Sequence, residues 1–290
     1  MSETTVAANQ MKPTANPAEN LARAEALVRE AAAGGAQILL LPELFEHPYF
    51  CQERRYEFLA YALPVLENPA VKRMRLLARE LGVVIPVSFY EREVNRLYNS
   101  VAVIDADGAL LGVYRKTHIP DDHYYQEKFY FSPGDTGFRV FETRFGRVGV
   151  GICWDQWFPE TARCLALLGA DVILYPTAIG SEPILELDSA AHWQRVMQGH
   201  AAANILPVAA ANRAGEERVE PCAENGNQSS ALVFYGSSFL TDETGRVLTQ
   251  AKREGECILT ASYDFEKIRR DRLNWGLFRD RRPECYGALV

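Results

Sequence analysis

Short apolar runs alternate with helix-like patterns along the whole of this 290-residue chain. The run Ala36–Leu41 is apolar at nearly every position, which is typical of a central strand buried on both faces. Before it, Pro17 stands where a helix favours its first residue, and apolar residues follow at helical spacing. Arg147–Ile152 and Asp171–Tyr175 predict further strands around another helix. Because no Pro/Gly/Ser-rich linker interrupts the alternation, it predicts one α/β domain over residues 1–290.

Composition and charge narrow the class of protein. The chain has 48% hydrophobic and 24% charged residues, as ordinary globular proteins do. Its formal net charge of −7 argues against nucleic acid as a partner. No stretch approaches the roughly 18 consecutive apolar residues of a membrane-spanning helix, so we expect no membrane partner either. A small-molecule partner remains.

The cysteines and the first residues bear on the compartment. The 6 cysteines are scattered without a CxxC pair, and MSETTVAANQMKPTANPAEN shows no basic region followed by an apolar core. Both features favour reduced thiols in a cytoplasmic protein. No HExxH motif or Cys/His ligand spacing occurs, so we expect no metal and no cofactor.

Cys153 ends the apolar run VGVGI and comes shortly before a helix predicted from Pro159. A cysteine on a strand-to-helix turn gains from the backbone N–H groups and the positive end of the helix. The same N–H groups can hold a developing oxyanion. A structural cysteine that ends a core strand fits the local sequence equally, so this position alone does not settle its role.

Two more reactive residue types follow apolar runs. Glu43 comes directly after ILLLP, where a carboxylate is costly to desolvate unless it is paired. It fits a general base, or alternatively a capping or solvated glutamate. Lys116 follows LLGVYR and fits either a cation of the same cleft or a solvated lysine after an edge strand. Together with Cys153 they describe a nucleophile, a base and a cation from three strand ends.

The segments LLLPELF, YRKTHIP and GVGICWDQWFPE, in this order, resemble the Glu–Lys–Cys motifs of the nitrilase (carbon–nitrogen hydrolase) superfamily. The resemblance runs from TVAANQM to the terminal FRDRRPECY. It implies a four-layer αββα sandwich, with Glu43 as general base, Lys116 as electrostatic stabiliser and Cys153 as nucleophile. It also implies that Glu127, in YYQEKFYF, orients the lysine and the substrate.

Finer likeness within the family, in LFEHPYFCQ, KTHIPDDHYYQEKFYFSPGDTGF and YPTAIGSEP, implies a polyamine-forming hydrolysis of N-carbamoylputrescine. The far end of this substrate is cationic, so its pocket should offer acidic or aromatic side chains. Glu182 is the candidate partner of the substrate's amine; alternatively, it is an exposed loop glutamate. Tyr49 and Trp154 are candidates for the walls of the substrate pocket; alternatively, either side chain packs in the core. Thr177 and Ala178 are candidates for a backbone lining of the cleft, against plain loop structure.

Other functions remain open at this point. A β-ureidopropionase-like or ω-amidase-like hydrolase, a true nitrilase, or a non-catalytic scaffold of the same fold would share these motifs. The family also suggests a homo-oligomer in which residues 274–290 pack across a subunit boundary. Trp275, Phe278 and Tyr286 would be its anchors, although they fit equally as a cover of the chain's own core.

Overall fold

The computed structural model describes residues 3–181 and 187–289. The strands are β1 Thr4–Gln10, β2 Ile38–Leu40, β3 Ile85–Glu93, β4 Arg96–Ile104, β5 Leu110–Arg115, β6 Val140–Thr143, β7 Gly146–Val150, β8 Val172–Thr177, β9 Val208–Asn212, β10 Ala214–Val219, β11 Ser230–Tyr235, β12 Phe239–Thr241, β13 Val247–Gln250 and β14 Cys257–Tyr263. The helices are α1 Pro17–Ala33, α2 Pro69–Leu81, α3 Pro159–Leu167, α4 Ala190–Asn204 and α5 Phe265–Trp275.

The first two helices start by the same local mechanism. Asn16 precedes α1 and accepts a hydrogen bond from the N–H of Ala18, while Asn68 precedes α2 and accepts one from Val71. Each helix has proline at its first position, where the missing N–H costs nothing. At the end of α2, Gly82 adopts φ +67°, which stops the helix and turns the chain into β3.

Two sheets face each other in the interior. The first consists of β14-β1-β2 and β3-β4-β5, which an isolated bridge between Ile38 and Val84 joins. The second has six strands in the order β13-β12-β9-β8-β7-β6, with the parallel pairs β7–β8 and β8–β9 at its centre. The hairpin of β10 and β11 forms a separate two-stranded sheet.

Alternating side chains create four layers. In β1, Val6 faces the core between the sheets, whereas Ala7 packs under α1 and α2. In β8, Leu174 faces the same inter-sheet core, whereas Ile173 packs under α3 and α4. β1 and β8 therefore each bury both faces. A fully buried Val, Ile or Leu side chain stabilises the fold by about 1.5–3 kcal/mol. The predicted αββα sandwich is confirmed.

Some elements differ from those expected. The predicted strand Ala36–Leu41 shortens to Ile38–Leu40. The sequence did not predict β6, β10, β11 or β13, whose residues are partly exposed and carry interleaved polar side chains. Within the described ranges, no helix is both long and apolar enough to cross a bilayer.

Candidate active site

Three strand ends deliver the predicted residues to one buried point. Glu43 follows β2, Lys116 follows β5 and Cys153 follows β7. The Lys116 ammonium donates to Glu43 Oε1 at 2.8 Å and to Glu127 Oε2 at 2.6 Å. All three of these charged side chains are fully buried, and Cys153 is 5% exposed. The arrangement thus places one cation between two carboxylates, beside a thiol.

The charges of this cluster shift one another's protonation. Burial lowers the pKa of Lys116, but the charges of Glu127 and Glu43 outweigh it and raise that pKa well above its ordinary value. Burial raises the pKa of Glu127 to about 7, the Lys116 charge opposes that rise, and the Glu43 charge adds to it. The lysine therefore stays cationic, while Glu127 takes up a proton more readily than an exposed glutamate.

The two oxygens of Glu43 have different surroundings. Oε1 accepts from Lys116 and also from Asn99 Nδ2 at 2.6 Å. Oε2 is buried and has no hydrogen-bond partner among the described residues. Since buried carboxylate oxygens are normally satisfied, Oε2 is the atom of this cluster available to a substrate or a thiol proton. Asn99 was not predicted as a site residue, although an amide inside the apolar strand β4 is a visible signal.

Cys153 adopts φ +42°, a left-handed backbone conformation that residues other than glycine rarely take. It begins a 3₁₀ turn over Cys153–Trp157, and its thiol lies 3.7 Å from the carbonyl oxygen of Ala178. Burial raises the pKa of the thiol well above its ordinary value, the Glu43 charge adds to this, and Lys116 opposes it. The resting residue is a thiol, so nucleophilic attack requires a base.

The turn at Cys153 corrects one expectation. Helix α3 begins at Pro159, as predicted, but the N–H groups that follow Cys153 directly belong to the 3₁₀ turn. The N-terminus of α3 lies six residues along the chain and starts with a proline, which has no N–H. Any oxyanion held beside Cys153 would therefore meet the backbone of the short turn rather than the N-terminus of α3.

Asp155 fixes this turn against the strand end that carries the lysine. Its Oδ2 accepts from the N–H of Ile152 at 2.9 Å and from the Tyr114 hydroxyl at 2.7 Å. Its Oδ1 accepts from the N–H of His118 at 3.0 Å and lies 2.7 Å from the ring nitrogen Nδ1. Asp155 is fully buried. It ties Cys153 to β5, a role that the sequence did not reveal.

Tyr49 is placed differently from the predicted pocket wall. It is buried, and its hydroxyl donates to Glu127 Oε1 at 2.7 Å. Burial and the Glu127 charge raise the pKa of Tyr49 well above its ordinary value, so the hydroxyl remains a donor. Both oxygens of Glu127 are therefore engaged, one by Tyr49 and the other by Lys116.

The remaining pocket candidates have different surroundings. Ala178 is buried, and its carbonyl contacts the Cys153 thiol. Thr177 is buried too, and its hydroxyl donates to Gln156 Oε1 at 3.1 Å. Trp154 is 38% exposed next to Cys153. Glu182, the predicted partner of an amine, lies outside the described residues.

A cavity of about 660 Å³ lies beside the segments that contain Cys51 and Glu127. Its lining includes two exposed carboxylates, Asp121 and Asp122, and one exposed guanidinium, Arg54. The complete lining is Gln52, Arg54, Asp121, Asp122, His123, Tyr124, Gln126, Gln228 and Ser229. In the described part of the chain, no group of three His, Cys, Asp or Glu side chains is placed to hold a metal ion.

A known family and several known proteins are similar to this chain over most of its length. The family described as Carbon-nitrogen hydrolase matches residues 5–273. An N-carbamoylputrescine amidase of Solanum tuberosum is 55% identical over 99% of this chain and 94% of its own length. A citrullinase of Francisella tularensis is 52% identical over 100% of this chain and 99% of its own. The crystal structure of a carbon–nitrogen hydrolase from Helicobacter pylori matches with TM-score 0.89 and 34% identity, covering 99% and 98% of the two chains.

Proposed function

The chain belongs to the carbon–nitrogen hydrolase family, and we propose that it is a thiol amidohydrolase converting N-carbamoylputrescine into putrescine, carbon dioxide and ammonia. The observation that carries the mechanism is the buried contact of Lys116 with Glu43 beside Cys153. The substrate is supported by plant N-carbamoylputrescine amidases that are 53–55% identical over 93–100% of the chain.

Attack on the ureido carbonyl begins with a proton transfer. Glu43 Oε2, which has no partner among the described residues, accepts the proton of the Cys153 thiol. The thiolate then forms a carbon–sulfur bond, and the carbonyl electron pair moves to oxygen. Lys116 and the backbone N–H of Trp154 stabilise this oxyanion, at about 3–4 kcal/mol for each well-placed donor.

Collapse of the intermediate breaks a carbon–nitrogen bond. Glu43 returns its proton to the departing nitrogen, which leaves a thiocarbamate on Cys153. A carboxylate then activates water, whose attack releases the thiol and a carbamic acid. The carbamic acid loses carbon dioxide and frees the second nitrogen. One water is consumed for each substrate cleaved into one diamine, one ammonia and one carbon dioxide.

Glu127 acts in this scheme through the lysine. Tyr49 and Lys116 each donate to one of its oxygens. It fixes the position of the ammonium from the side opposite Glu43. We assign it a positioning role and assign the base to Glu43.

The cavity that contains Gln126, the residue before Glu127, supports a cationic substrate end, although Glu43, Lys116 and Cys153 are not among its lining residues. Asp121 and Asp122 outnumber Arg54 among the charged groups of its lining, and a diammonium product such as putrescine suits that balance. Citrulline is the second candidate, because its far end carries a carboxylate that Arg54 would pair with and because a citrullinase is among the similar proteins.

Ammonia release from a panel of substrates tests the proposed reaction. The panel contains N-carbamoylputrescine, citrulline, carbamoyl-β-alanine, a simple amide and a nitrile at equal concentrations. We expect the highest kcat/KM for N-carbamoylputrescine. Turnover of another compound while N-carbamoylputrescine stays inert would refute the substrate assignment but keep the thiol mechanism.

We also propose a homo-oligomer formed through the C-terminal segment. Trp275 is 73% exposed and Tyr286 is 40% exposed, so the chain itself leaves Trp275 largely uncovered and Tyr286 partly uncovered. Phe278, by contrast, packs on its own core below the guanidinium of Arg163, whose carbon lies 5.1 Å from the ring centre. Light scattering of wild type and Trp275→Ser would test this, with dissociation expected in the variant and an unchanged mass opposing it.

A further inference from the structure

Arg213 lies immediately before β10, and its guanidinium is fully buried against the segment that carries the proposed base. Nε donates to the carbonyl oxygen of Glu43 at 3.1 Å. Nη2 donates to the carbonyl oxygens of Leu44 at 2.5 Å and His47 at 2.9 Å. One side chain thus satisfies three backbone acceptors within five consecutive residues. Arg213 is 170 residues distant from Glu43 in sequence.

Glu217 completes this contact from inside β10. One of its oxygens accepts from Arg213 Nη1 at 2.7 Å, and the other accepts from the backbone N–H of Tyr49 at 2.6 Å. The Arg213 guanidinium also lies against the rings of Tyr49 and Phe234, at 5.8 Å and 5.7 Å from their centres. The pair holds the segment 43–49 at both of its ends.

The held segment is irregular and conformationally unfavourable. Leu44 adopts φ +48°, which a branched side chain rarely takes without external support. The segment carries Glu43 at its start and Tyr49 at its end, and Tyr49 in turn binds Glu127. A shift of this backbone would therefore move both carboxylates that flank Lys116.

We propose that Arg213, supported by Glu217, is a positioning residue for the base Glu43. It acts through the backbone of the segment 43–49, and its hydrogen bonds go to that segment and to Glu217 rather than to the Cys153 thiol. Its function is to keep Glu43 Oε2 in line with Cys153. This inference rests on the proposed function, since it presumes that Glu43 is the base.

Arg213→Lys is the direct test, because lysine keeps the charge but lacks the planar fork that reaches three carbonyls. We expect kcat to fall about 100-fold, the loss typical of a reacting group displaced by about 1 Å, while KM changes little. Arg272→Lys is the matched control. Arg272 also donates to two backbone carbonyls, of Ile205 at 3.0 Å and Ala170 at 3.1 Å, away from the site.

Glu217→Gln is the second variant, and it decides the case if Arg213→Lys does not fold. Glutamine keeps one acceptor and removes the charge, so we expect a smaller loss of kcat in the same direction. Wild-type kcat in folded Glu217→Gln or Arg213→Lys would overturn the proposal. An equal loss in Arg272→Lys would do so as well, because it would show a general stability effect.

Alkylation of Cys153 by iodoacetamide separates this inference from the substrate assignment. The reaction needs a thiolate and therefore the base, but no natural substrate. We expect slower alkylation of the Cys153 peptide in both variants, measured by mass spectrometry, with the partly exposed Cys222 unchanged as an internal control. If wild type hydrolysed no ureido compound, the proposed function would fail, yet unequal alkylation rates would still support the positioning role.

Discussion

Arg115 and Lys116 are consecutive residues at the end of β5, and their side chains enter two separate buried networks. Arg115 donates to both oxygens of Glu91, at 2.8 and 2.7 Å. Lys116 donates to one oxygen of Glu43 at 2.8 Å, and the other oxygen has no partner in the described part of the chain. Glu91 and Glu43 are both buried next to a cation, but only Glu43 keeps an unused acceptor.

Two consecutive residues of the neighbouring strand β4 also contact one network each. Asn99 donates to Glu43 at 2.6 Å, and Ser100 donates to Glu91 at 2.6 Å. Successive side chains point to opposite faces of a strand, so one hairpin serves both networks. A network with every acceptor filled stabilises the fold, whereas a network with one acceptor left open is prepared for a reaction. Paired variants test this distinction.

The largest effect should come from Cys153→Ala, which removes the group beside the open network. We expect kcat to fall by about 10⁵-fold or more, as for loss of a nucleophile in other hydrolases, with no loss in the free energy of unfolding. Cys222→Ala, at a partly exposed thiol, is the control and should keep full turnover. Retention of turnover by Cys153→Ala would remove the thiol mechanism altogether.

Glu43→Gln and Glu91→Gln should differ in their effect on kcat. Loss of the base in Glu43→Gln should lower kcat by about 10³-fold, and the variant also loses one of the two buried carboxylate partners of Lys116. Glu91→Gln should keep kcat but reduce the free energy of unfolding by about 1.5–3 kcal/mol, because it removes the buried charge partner of Arg115 and leaves only the more exposed Asp135 and Glu93. Urea unfolding and steady-state kinetics on both variants measure this. Equal losses of activity would break the comparison.

Glu127 predicts a pH dependence of stability. Its pKa is raised in the folded protein from 4.5 to about 7, so the folded state binds this proton more tightly than the unfolded chain. The contribution is fully present below pH ~4.5 and is lost as pH rises to ~7, a change of up to about 3 kcal/mol. Urea titrations should show this decline in wild type and not in Glu127→Gln. Parallel curves for the two proteins would contradict the assignment.

The smallest effect concerns the consecutive donors of β4. Asn99→Ala should lower kcat about 10-fold, since a hydrogen bond to a charged group contributes about 1.5–3 kcal/mol. Ser100→Ala should leave kcat unchanged and lower stability by about 1–2 kcal/mol. If kcat fell equally in both variants, the two faces of the strand would not be functionally separate.

The residues of the proposed catalytic site were predictable where they follow apolar runs. Glu43, Lys116 and Cys153 each come directly after a strand core, and the family resemblance set their order. Glu127 was found only through that resemblance, because no apolar run marks it. The cluster of Glu43, Lys116 and Glu127, with Cys153 beside it, agrees with this assignment.

The supporting residues could not be predicted because their partners lie far away in sequence. Arg213 and Asp155 are separated from the groups they hold by up to 170 and 41 residues, so no local pattern encodes the contacts. The hairpin of β10 and β11 was not predicted for a different reason. Three consecutive charged residues, Glu216, Glu217 and Arg218, lie in β10, so its sequence lacks the apolar–polar alternation typical of a strand.

The β4–β5 hairpin also limits which changes of length the chain can accept. Asn99 and Ser100 stand opposite Lys116 and Arg115, and the backbone fixes that register through the Lys116 N–H to Asn99 bond of 2.8 Å. Deleting a single residue ahead of Asn99 in β4 would turn every following side chain to the other face. Ser100 would then face Glu43, the proposed base, and Asn99 would face the ion pair of Arg115 with Glu91. Homologous chains should therefore vary here by substitution and keep the residue count constant.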